Sequence, residues 1–219
     1  MRTAIALDTE QRSAKLGVPF PPFQSETRIS EDPMLSLPSL WLPILLSAVF
    51  VFIASSLIHM VFKWHNSDYL KLPNEDEVRA AIRKESPGPG QYVLPHCLDM
   101  KDMGSEEMKK KYVDGPIGLL TLKASGMPKM GPSLIAWFLF TVVVSLFAGY
   151  IGYVTLPAKT HYLTVFRVVG SAAFMAYGLG AIPGAIWMGR PCRAVCKELM
   201  DAIIYALLTA GTFGWLWPR

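Results

Sequence analysis

Charge is scarce in this chain: only 17% of its 219 residues are Asp, Glu, Lys or Arg, against 52% that are hydrophobic. Soluble domains carry about 25% charged residues, so the deficit favours the membrane class over a water-bathed fold. The three cysteines contain no C-x-x-C pair, as fits ordinary reduced thiols. A net charge of +4, scattered and without a basic patch interleaved with aromatics, excludes nucleic acid as a partner. No P-loop, G-x-S-x-G, H-E-x-x-H or glycine-rich dinucleotide fingerprint is present, and no enzymatic activity is expected. Residues 1–32 are mixed, polar and proline-bearing, unlike a cleavable secretory signal, so insertion falls to the first apolar helix.

What the chain has in their place is four long uncharged stretches. A hydrocarbon core of about 30 Å needs roughly 20 helical residues at about 1.5 Å each, and the stretches meet that length. The expected fold is an all-α membrane protein with transmembrane helices at residues 37–64, 131–157, 161–189 and 195–218. Residues 1–36 form an extended arm whose Pro19, Phe20, Pro21, Pro22 and Phe23 favour polyproline-like backbone and are expected to contact a partner. Residues 65–130 read as a small α/β insert: Asn74 and Ser105 as helix caps, and 91–94 and 117–122 as short strands able to pair. A unit of that size has a thin core and leans on the bundle or on lipid.

Small residues predict how the last two helices pack. Ala172, Ala176, Gly180 and Gly184 recur at every fourth position, as do Ala202, Ala206, Ala210 and Gly214. Lipid offers no hydrophobic drive to associate, so flat ridges of this kind let two backbones approach. The short link at residues 190–195 makes the helices antiparallel and sets Gly180 level with Ala202, Ala176 with Ala206 and Ala172 with Ala210. Lys63, Lys71, Lys123, Lys129, Arg190, Arg193 and Lys197 flank one set of helix ends, which places residues 65–130 in the cytoplasm and both termini in the periplasm.

Few residues are candidates for chemistry. Arg167 lies about 9 Å inside the third helix and is expected to anchor that helix, or an anionic lipid or ligand, beside Trp215 and Trp217. Asp201 is one turn from Lys197, a spacing at which they can pair, and no second acid at mid-depth completes a proton relay. His96, Cys97, Cys192 and Cys196 offer a weak zinc pattern. His59 reads as a polar residue at the interface, with His65 six positions on and off its face, so no metal or intrinsic cofactor is expected.

The stretches SLWLPILLSAVFVFIASSLIHM, SDYLKLPNEDEV, PGQYVLP, GPIGLLTL, THYLTVFRVVG and IYALLTAGTFGWLWPR resemble a family of uncharacterised bacterial four-helix inner-membrane proteins over about four fifths of the chain. The resemblance implies the four-helix fold and supplies no activity. The added arm resembles those of accessory subunits of large photosynthetic or respiratory complexes. The function expected on that likeness is a non-catalytic accessory subunit of a bacterial energy-transducing membrane complex: a photosynthetic reaction centre with its light-harvesting antenna first, a respiratory complex second. Its company would be membrane lipids, other integral membrane subunits and neighbouring pigments. The alternative is a small transporter or ligand-binding membrane protein with a site around Arg167, Tyr177, Tyr205 and the helix break at Pro183.

Overall fold

The computed structural model describes residues 35–219, and helix accounts for 70% of these. Most of the arm, with Pro19, Phe20, Pro21, Pro22 and Phe23, lies outside the described residues. Four helices are long and apolar enough to cross a membrane: α1 (Leu37–Phe62), α5 (Met130–Thr155), α6 (Tyr162–Trp187) and α7 (Cys192–Leu216). Between α1 and α5 come α2 (Glu75–Lys84), β1 (Gly90–Leu94), α3 (Met100–Met103), α4 (Glu106–Asp114) and β2 (Gly118–Leu122). The strands pair antiparallel, Gly90 opposite Leu122 and Leu94 opposite Gly118. The Ser105 hydroxyl caps α4 by accepting the Met108 amide at 3.2 Å, whereas the Asn74 side chain makes no cap bond. Met108 is the one buried residue of the insert, whose Tyr69, Leu70, Leu98, Val113 and Met127 stand exposed.

The four long helices close a ring in which α1 packs on α5 and α7, and α6 packs on α5 and α7. At one end Leu40, Ile44, Ala148, Val165, Val169, Phe213 and Trp217 form an apolar core. Trp217 completes it, donating its indole N–H to the Pro157 carbonyl at 3.0 Å. Halfway along, the Ser47 hydroxyl donates to Ser145 at 3.0 Å. Towards the other end a second cluster gathers Val51, Ile58 and Tyr205.

The seam between α6 and α7 runs two residues away from the expected register. A methyl added at Gly170 would sit 2.9 Å from the Ala210 Cβ, and one at Gly178 would sit 2.9 Å from the Ala202 Cβ. Gly170 and Gly178, not Gly180, therefore give the close approach that lets these backbones meet. Ala202, Ala206 and Ala210 are buried on the seam, while Ala176 and Gly180 are exposed. Ala172 is buried in the apolar core, Gly184 abuts the Arg190 side chain and Gly214 abuts Tyr162. The break in α6 also moves. Helix stops at Tyr177, a 3-10 turn spans Leu179–Ala181, and helix resumes at Ile182–Trp187 with Pro183 in its first turn, where a missing amide costs nothing.

Candidate histidine and aspartate site at one end of the bundle

The site begins with a local defect in α1. The Ser55 and Ser56 hydroxyls both donate to the Phe52 carbonyl, at 2.9 and 2.8 Å, in competition with the helical amide ladder. Immediately afterwards the helix widens into a π-helical turn over Leu57–Phe62, a distortion common at functional sites. Lys63 then takes the left-handed conformation at φ 53°, and a 3-10 turn over Trp64–Asp68 folds back along the helix end. Two residues six positions apart, which would diverge on a regular helix, are thereby returned to contact: the His59 and His65 rings stack at 4.6 Å, within 6° of parallel.

Asp201 comes from α7, about 14 Å along that helix by its rise per residue. Its side chain is 5% exposed. His65 Nε2 lies 2.8 Å from Asp201 Oδ2, and His59 Nε2 lies 3.9 Å from the same atom. Asp201 Oδ1 is buried with no hydrogen-bond partner, as are the Tyr205 and Tyr177 hydroxyls, whose rings meet edge to face at 5.5 Å. Behind His65, its Nδ1 sits 2.9 Å from Asp68 Oδ2. The Lys197 ammonium donates to Asp68 at 2.6 Å, to the Trp64 carbonyl at 2.6 Å and to Ser67 at 2.8 Å. This ammonium, with His65 adding to it and burial opposing, holds the Asp68 carboxyl below the usual carboxylate range. The expected pairing of Lys197 with Asp201 is thus replaced: Lys197 serves Asp68, and Asp201 faces the imidazoles.

The charge count decides what the arrangement can do. With both carboxylates ionised and both imidazoles neutral, the one ammonium leaves the cluster one negative charge. Burying an uncompensated charge costs several kcal/mol or more, so the cluster favours a further positive charge beside Asp201, a proton or a bound ion.

The other expected site residues fall elsewhere. Arg167 is exposed and lines an outward apolar groove of about 390 Å³ between α6 and α7, with Phe166, Phe174, Ile203 and Leu207. Trp217 is instead buried in the core against Gly152 and Val169, and Trp215 points outward, 63% exposed. Cys192 and Cys196 are exposed, and the Cys97 thiol donates to the Asp99 carbonyl. Among the described residues, the set whose ligand atoms converge within 4.8 Å is His59, His65 and Asp201, not the cysteines. The meeting of the two histidines depends on the π-helical turn and the left-handed Lys63, which no local pattern announces, and the one signal in the sequence is Asp201, an acid within the fourth apolar stretch. No family model, curated protein or solved structure matches this chain.

Proposed function

We propose that the chain is a non-catalytic multi-pass membrane protein that binds a cation at the mouth of its helix bundle. The observation that carries this reading is Asp201: an acid within a spanning helix, 5% exposed, with one oxygen facing two imidazoles and the other unpartnered. Ionisable groups within spanning helices are costly and mark ligand or ion sites by default. The test is thermal unfolding of the detergent-solubilised protein across monovalent and divalent cations and pH. Stabilisation by a cation, lost in Asp201→Asn and kept in Arg167→Ala, is the expected result; the reverse pattern refutes it.

A second reading, the accessory subunit of a larger bacterial membrane complex, is favoured by the Arg167 groove. An arginine beside a long apolar furrow suits the headgroup and tail of an anionic lipid, or a neighbouring subunit held through one. Under this reading Arg167→Ala lowers the amount of anionic lipid that co-purifies, measured by mass spectrometry, and Asp201→Asn leaves it unchanged.

A further inference from the structure

We infer that His59, His65 and Asp201 form a binding site for one divalent transition-metal ion of the zinc type. This rests on the cation-binding reading above and names its ligand. Histidines that ligate metals almost always donate their other ring N–H to a carboxylate or a backbone carbonyl, which fixes the tautomer and aims the free nitrogen. Both histidines here have that arrangement. His59 Nδ1 lies 3.0 Å from the Ser55 carbonyl, and His65 Nδ1 lies 2.9 Å from Asp68, itself held by Lys197. With those protons on Nδ1, both Nε2 atoms are left free within 3.9 Å of Asp201 Oδ2.

The distances suit an ion. Zinc bonds of about 2.0–2.1 Å to nitrogen and 2.0–2.2 Å to oxygen at tetrahedral angles place ligand atoms roughly 3.3 Å apart. The observed separations, 2.8 Å for His65 and 3.9 Å for His59, lie on either side of that value. The two rings stack within 6° of parallel, so their in-plane lone pairs do not meet at one point, and the half-exposed His59 ring turns out of the stack to complete the site. The unpartnered Asp201 Oδ1 supplies a second carboxylate contact or accepts from a bound water in the remaining position. Two imidazoles and one carboxylate select ions such as Zn²⁺ or Co²⁺ over Mg²⁺ and Ca²⁺, which demand oxygen. In charge, a divalent ion turns the cluster's one surplus negative charge into one positive charge at the membrane surface.

The experiment uses the full chain in micelles, stripped with chelator and titrated with Co²⁺ at pH 7.5, reading the visible ligand-field band and displacement by Zn²⁺. One equivalent is expected, undisturbed by excess Mg²⁺. His59→Ala, safe for folding because the ring is half exposed, should weaken binding at least tenfold, and Asp201→Asn should do the same with its thermal midpoint as the folding control. Asp68→Asn, which removes a positioning group, should cost 10- to 100-fold. The C192S/C196S double variant should bind as the wild type. Absence of saturable one-equivalent binding, unchanged affinity in His59→Ala, or loss in the cysteine variant each overturns the assignment. If the wild type takes neither metal but another cation still stabilises it through Asp201, the metal alone is refuted; if no cation acts through Asp201, the broader reading falls too.

Discussion

Gly178 and Gly180 stand two residues apart in one helix, and their surroundings oppose each other. A side chain at Gly178 would meet the Ala202 Cβ at 2.9 Å and the Phe174 carbonyl at 3.1 Å, whereas one at Gly180 would meet nothing within 4 Å. Gly178→Val should therefore cost about 1–3 kcal/mol through overpacking. Gly180→Val should stay within about 0.5 kcal/mol, with reversible unfolding in micelles as the measurement. The sequence showed that small residues recur every four positions but not which of two such rows faces the partner. The row in use is interrupted by Phe174, so composition favoured its uninterrupted neighbour. At Asp68 the expectation concerns acid. Its folded pKa is depressed by the hydrogen bond from Lys197, so its contribution is present above the unfolded value of about 3.9 and is lost as pH falls through the folded one. The gap in thermal midpoint between wild type and Asp68→Asn should be open at pH 6 and close towards pH 3.

At the scale of the element, α1 is the most informative. Its apolar length was plain in the sequence, and so was its limit near Phe62. The widening of its last turn was not, because serines that bond back to a carbonyl occur in regular helices as well. The wide turn already absorbs one residue more than an α turn holds, so inserting a further alanine after Met60 should rotate everything beyond it by roughly 100°. Helicity by circular dichroism should be kept while the cation response vanishes, since His65 is carried away from Asp201. Midway along the same helix, Ser47 and Ser145 share a buried hydrogen bond. A double-mutant cycle to alanine should give a coupling of about 0.6 kcal/mol, the average for such bonds between membrane helices.

Across the whole molecule, the four-helix layout and the two-stranded insert could be read from apolar length, cap residues and β-prone runs. The site could not, because it joins residues 136 positions apart that share no local pattern. The insert buries Met108 alone, so residues 65–130 expressed by themselves should show no cooperative thermal transition by circular dichroism. The orientation expected from the basic flanks sets the α6–α7 link on the cytoplasmic face. Exposed Cys192 and Cys196 should then react with a membrane-impermeant maleimide in inverted vesicles and resist it in intact spheroplasts. The two ends of the bundle differ in kind. Opposite the imidazoles, Leu40, Phe213 and Trp217 stopper the interior with hydrocarbon and aromatic rings. Under the cation-binding proposal, an ion that enters past His59 finds the far end plugged and leaves by the door it came through, the behaviour of a receptor or a reservoir.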